Sequence, residues 1–215
     1  MLEGKDSMWQ WTAVLLTGYL LGSIPVGYLV VRWLRGVDVR EVGSGRTGGT
    51  NVLRAAGWGG AVLTGVGDGV KALAAVLFAR QLGSPPLLVA LAGVAAVVGH
   101  NYSVFLGFRG GAGTMASIGG ATGLWPWSLP ISLVALLPTA LITRRASLGS
   151  ITVALVLPLL FTARAALGLG PWAYVIHGVL TSALTLWSLR PNIRRLLRGE
   201  ERQINLKVGK EDRKP

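Results

Sequence analysis

The chain has 215 residues, 51% of them hydrophobic and only 14% charged, where a soluble domain carries about a quarter charged residues. It contains no cysteine, which excludes disulfides and thiolate-held metals. The net charge of +12 would suit nucleic acid. The arginines, however, sit in short segments between apolar runs and at the C-terminal end, a distribution that points to a membrane and to no nucleic-acid partner.

In chain order, MLEGKDSMWQ forms a short segment (1–10) that leads into an apolar run without a small-residue cleavage site. That run reads as a first membrane span and not as a removed signal. Seven apolar runs are expected, near Trp11–Trp33, Trp58–Phe78, Pro86–Phe105, Thr114–Leu124, Trp127–Ile142, Leu148–Leu167 and Trp172–Leu189. A full span needs roughly 20 apolar residues, so the fourth and fifth are short and read as tilted, broken or re-entrant. All eight tryptophans fall at or near the ends of these runs, where an apolar ring with one N–H favours the membrane interface. The expectation is an all-α, polytopic protein of about seven transmembrane helices: a membrane body over 11–189, then a basic tail over 190–215.

Seven spans place the two termini on opposite sides. With the N-terminus outside, the inner segments hold 17 of the 21 lysines and arginines, and the outer ones keep only Lys5, Arg80 and Arg164. The positive-inside rule then puts the tail in the cytoplasm, as in a bacterial inner-membrane protein.

Four polar stretches share that inner side: GSGRTGGTNVLR (43–54), GHNYSVFLGFRGGAG (99–113), TRRASLGS (143–150) and RPNIRRLLRGEE (190–201). Glycines let backbone N–H groups approach an anion, and arginine supplies a planar fork suited to phosphate oxygens. The combination suits a phosphorylated, partly apolar ligand. Gly43, Gly45 and Gly48 match G-x-G-x-x-G, but the dinucleotide fingerprint needs a strand before it. The same stretch has Gly49 where a Walker A loop has its lysine.

Taken together, these stretches resemble the PlsY family of bacterial acyl-phosphate:glycerol-3-phosphate acyltransferases. The family's first motif is similar to GSxNxGATNVLR and its second to GHxxxVFLxFxGGKG. The early GSIPVGYLVVRWLRGVDVREVGSG, SLGS and the PNIRRLLRGEE segment extend the likeness over about Gly22–Glu201. The resemblance implies acyl transfer from acyl phosphate to glycerol 3-phosphate at the cytoplasmic face, among membrane lipids and without a metal or other cofactor. By position it implies catalytic roles for Ser44, Arg54, Ser147 and Asn192. It implies substrate or phosphate binding by Arg46, Thr50, Asn51, His100, Arg109, Gly110, Gly111 and Gly113. Three positions depart from the pattern: Arg46 stands for asparagine, Ala112 for the lysine of GGKG, and Leu189 where histidine is frequent. Arg46 is a candidate replacement for the cation missing at Ala112.

Several residues carry two readings. Arg54 is a ligand contact or a topogenic charge. Asp68 and Lys71, one helical turn apart within a span, are a functional pair or each other's partners. His100 is a site residue or an interhelical hydrogen bonder, and His177, in mid-span, reads as packing. At the level of the whole chain, the alternatives to the acyltransferase are a catalytically altered paralogue that binds a lysophospholipid or polyol phosphate, and a small transporter.

Overall fold

A computed structural model describes residues 8–204. Among the described residues are nine α-helices and two short 3-10 turns, with no strand. The first apolar run is two helices, α1 (Met8–Ser23) and α2 (Val26–Arg35), where one span over Trp11–Trp33 was expected. Pro25 ends the run because proline lacks an N–H and steers the residue before it out of the helical region. Hydropathy is blind to that break, since both sides are apolar. α2 closes on Gly36, left-handed at φ 71, whose N–H donates to the Arg32 carbonyl.

The next helix, α3 (Gly49–Gln81), begins well before the expected Trp58. The GTNVLR half of the first glycine-rich stretch is therefore helical and not loop. Its polar residues hid it from an apolar count, while the amides of Asn51 and Val52 fold back onto the Gly48 carbonyl to start it. α3 bends at Gly57 (φ 77, ψ −174), a backbone conformation open essentially to glycine alone.

The remaining helices are α4 (Pro86–Asn101), α5 (Thr114–Leu124), α6 (Ser128–Thr143), α7 (Ala146–Ala166), α8 (Ala173–Ser188) and α9 (Arg190–Leu197). α4 is the central helix, packed against α1, α3, α5 and α8. Small residues let the backbones meet: a Cβ on Gly22 would overlap the Ala96 carbonyl of α4, and one on Gly119 of α5 the Gly69 carbonyl of α3. Such seams replace the hydrophobic drive that lipid removes. Val14, Val76, Leu88, Ile118, Leu157 and Phe161 fill the core between them.

The outer surface stays apolar, with Val62, Val134 and Leu159 among its exposed side chains. Four stretches are long and apolar enough to cross a membrane: Met8–Arg35, Gly49–Gln81, Pro86–Leu106 and Ala146–Ala166. α6 is apolar but shorter, at 16 residues. α5 has 11 residues and is buried over most of its length, so it is an interior helix more than a lipid-facing one.

Candidate active site

One cavity of about 690 Å³ collects residues from the start of α3, the end of α4, the start of α5, the α6–α7 corner and the α8–α9 junction. Its first wall is the 36–48 segment. Asn51, buried on the first turn of α3, holds it: Nδ2 donates to the carbonyls of Val39, Val42 and Arg46 at 2.8–2.9 Å, and Oδ1 accepts from the Ser44 amide at 3.1 Å. Asn51 thus spends its polar atoms on shaping the loop. Asp38 stiffens the approach by accepting from the Arg40 amide and side chain, and the Arg40 guanidinium holds its carboxyl below the usual carboxylate range. Ser44, Thr50 and Arg54 line the cavity from this wall.

Arg46 lines it too, turned inward. Its Nη2 donates to the Ser188 carbonyl at the end of α8, while Nη1 is buried with no hydrogen-bond partner among the described residues. Burial, with Arg195 and Arg190 nearby, pushes its guanidinium below its ordinary value. A buried donor left unpaired costs about 1–3 kcal/mol, so this nitrogen keeps hydrogen-bonding capacity toward the cavity.

The second glycine stretch behaves differently from an open anion cradle. The amides of Gly110 and Gly111 donate to the carbonyls of Asn101 and His100 at 3.1 and 3.0 Å. Both glycines serve close approach to the end of α4, where a Cβ at 110 would meet the His100 carbonyl and one at 111 the His100 ring. Ala112 and Gly113 line the cavity; Gly110, Gly111 and the exposed Arg109 do not.

Ser147 and Asn192 meet on a residue that sequence reasoning passed over. The Glu201 carboxylate, 8% exposed, accepts from Ser147 Oγ at 2.5 Å and from Asn192 Nδ2 at 3.0 Å. Three residues on, the Ile204 amide donates to the Arg144 carbonyl at 2.7 Å and straps the chain across the α6–α7 corner. The one available signal was an acid among tail arginines. Arg195 and Arg202 bring two further cations to the cavity from this segment.

Deeper in, Asp68 and Lys71 are paired at 2.9 Å, and Asp68 Oδ1 also lies 3.2 Å from His100 Nδ1. Asp68 and His100 both face the cavity. His177 is elsewhere, fully buried against Gly93 and Gly120, with Nε2 3.2 Å from the Ser117 carbonyl. Beyond the polar end the cavity continues as an apolar groove between α3 and α6, walled by Trp58, Val62, Val66, Leu133, Leu137 and Leu141.

A polar pocket with four arginines, opening into an apolar groove within a helical membrane protein, defines a class: proteins that handle an anionic group next to a hydrocarbon chain. The chain belongs to the glycerol-3-phosphate acyltransferase family of membrane enzymes, whose family model matches residues 12–199. It is 45% identical to the glycerol-3-phosphate acyltransferase of Syntrophomonas wolfei, over 93% of this chain and all of that one. It is also 45% identical to the enzyme of the same name from Rubrobacter xylanophilus, over 91% and 96% of the two chains. Its fold is similar to the crystal structure of PlsY (YgiH), an integral membrane glycerol 3-phosphate acyltransferase, in its glycerol 3-phosphate form, with TM-score 0.81, 34% identity and 91% and 96% coverage. The lysophosphatidic acid form of that enzyme aligns with TM-score 0.79 at 33% identity, over 90% of this chain and 94% of that one. The three departures from the family pattern, Arg46, Ala112 and Leu189, all line the one cavity.

Proposed function

We propose that this chain moves an acyl group from acyl phosphate to the 1-hydroxyl of glycerol 3-phosphate, releasing phosphate and lysophosphatidic acid at the cytoplasmic face of a bacterial plasma membrane. The observation that carries the reading is the junction in one cavity of Arg46, Arg54, Arg195 and Arg202 with the α3–α6 groove. Two phosphate-bearing substrates bring several negative charges together, and their repulsion is costly near a low-dielectric interior. Four guanidinium groups offset it. The groove takes the acyl chain, which stays among apolar side chains while its carboxyl end reaches the arginines. Acyl phosphate already carries a good leaving group, so the protein mainly aligns two anions and stabilises developing charge.

Ser44 and Thr50 supply hydroxyls beside Arg54. Ser147 and Asn192 work through Glu201, which fixes the far wall. The two crystal structures of the similar PlsY are its glycerol 3-phosphate and lysophosphatidic acid forms, named for the acceptor and product of this reaction. The seven-span topology with its N-terminus outside belongs to the same proposal, because it puts the arginine-rich end in the cytoplasm.

Purified protein in lipid nanodiscs is given acyl phosphate, glycerol 3-phosphate or both. Phosphate and lysophosphatidic acid appearing only with both substrates is the expected result. Transfer that requires acyl-CoA overturns the donor assignment, and binding without turnover overturns the catalytic one.

A further inference from the structure

We propose that Glu201 is a positioning residue for acceptor recognition: it takes the one proton of Ser147, so that Ser147 meets the cavity as a hydrogen-bond acceptor and holds a hydroxyl of glycerol 3-phosphate while the arginines hold the phosphate; the inference rests on the acyltransferase reading above. Local structure delivers the carboxylate. Gly199, left-handed at φ 72, closes α9, its amide donating to the Leu196 carbonyl at 3.0 Å and the Glu200 amide to the Arg195 carbonyl at 2.8 Å. That pair of bonds reverses the chain at a helix end. Glu201 follows at once and meets Ser147 on the first turn of α7, and the bond from the Ile204 amide to the Arg144 carbonyl keeps the segment there.

The donor count at this contact fixes what Ser147 can offer. A hydroxyl has one proton and two lone pairs, and a carboxylate only accepts. With Oγ 2.5 Å from Glu201 Oε2, the serine has its proton committed to a charge-assisted bond. The other carboxylate oxygen is anchored separately, by Asn192 Nδ2 at 3.0 Å. Both ends of the contact are buried, Ser147 at 2% exposed and Glu201 at 8%. Only lone pairs of Ser147 are left for a ligand. They repel the oxygens of a phosphate and attract the O–H of an alcohol.

The rest of the cavity is complementary. Guanidinium groups donate and cannot accept, and Arg46, Arg54, Arg195 and Arg202 line the same cavity as Ser147, Asn192 and Glu201. Anionic oxygens therefore find donors, and a hydroxyl finds an acceptor at the α6–α7 corner. Glycerol 3-phosphate carries both kinds of group in one molecule. The contact orients a hydroxyl and takes no proton from it.

Calorimetry in nanodiscs compares glycerol 3-phosphate with n-propyl phosphate, which keeps the carbon skeleton and the phosphate but lacks both hydroxyls. Ser147→Ala removes the acceptor, and Glu201→Ala lets the hydroxyl rotate. Each should weaken glycerol 3-phosphate about fivefold, the scale of one hydrogen bond, and leave propyl phosphate within about twofold of wild type. The double variant should bind glycerol 3-phosphate within about twofold of Ser147→Ala, because Glu201 acts through that hydroxyl. Equal losses for both ligands would make Ser147 a phosphate contact or Glu201 a plain structural tie, and additive losses would put the effect of Glu201 elsewhere; either overturns the proposal. Wild type decides even if no variant folds, since equal affinity for the two ligands means that no hydroxyl is recognised. Wild type that binds neither ligand and turns over no acyl phosphate refutes the acyltransferase reading and the inference with it, whereas active wild type without hydroxyl discrimination refutes the inference alone.

Discussion

Arg46 has its guanidinium half satisfied among the described residues: one nitrogen donates to the Ser188 carbonyl, the other is buried without a partner there. A solvated inside-positive charge has neither property. It lines the cavity together with Ala112, which has no cation to offer. Arg46→Asn is expected to lower transfer about ten- to a hundredfold, the worth of a charge-assisted hydrogen bond of roughly 1.5–3 kcal/mol. Adding Ala112→Lys should recover much of that loss, and steady-state kinetics on the double-mutant cycle measure the coupling; strictly additive effects would mean the two positions do not share a ligand. Glu201 makes a second residue-scale case. Its carboxylate is the acceptor for both Ser147 and Asn192. Glu201→Ala strands two donors and should cost about 1–3 kcal/mol for each one left buried, seen as a lower thermal unfolding midpoint in detergent. An unchanged midpoint would show that the strap contributes no stability.

Among the elements, α3 carries the most consequence. Its first turns hold Thr50, Asn51 and Arg54, and the Gly57 bend sets their direction relative to the membrane-crossing part. Gly57→Ala puts a Cβ into a backbone region reserved for glycine, a strain of about 1–3 kcal/mol. Relief by straightening the helix would swing Arg54 away from the cavity, so activity should fall well beyond the loss of stability. Gly59→Ala, on the same helix with open space at its Cβ, is the control and should leave kcat and KM unchanged. Equal behaviour of the two variants, measured by phosphate release, would remove any role for the bend.

The whole molecule is polarised. Two of the three cations assigned outside are tied to protein: Arg80 donates to the Leu124 carbonyl at 2.8 Å and to Tyr174 Oη at 3.1 Å, and the Arg164 guanidinium sits 3.8 Å from the Trp125 ring centre. At the other end Arg46, Arg54, Arg195 and Arg202 surround the cavity. The native chain has no cysteine, so Met8→Cys and Gln203→Cys each give a single label site. In sealed, oriented vesicles an impermeant maleimide should reach them from opposite sides. Labelling of both from one side would refute the seven-span topology.

Helical membrane character, the concentration of arginines at one end and the set of stretches that build the pocket were legible in the sequence, because hydropathy, charge bias and motif spacing are local properties of the chain. Ser44, Arg46, Thr50, Asn51, Arg54, His100, Gly113, Ser147 and Asn192 all reach one cavity. The partners of those groups were not legible. Asn51 turns its amide onto its own loop, Gly110 and Gly111 spend their N–H groups on α4, and a glutamate 54 residues away in sequence takes the Ser147 hydroxyl. Arg46 finds its acceptor 142 residues along the chain. A run of residues specifies which donors and acceptors exist and roughly which face they share. Which of them are consumed within the protein, and which stay open to a substrate, depends on helices that meet only after the glycine seams have closed.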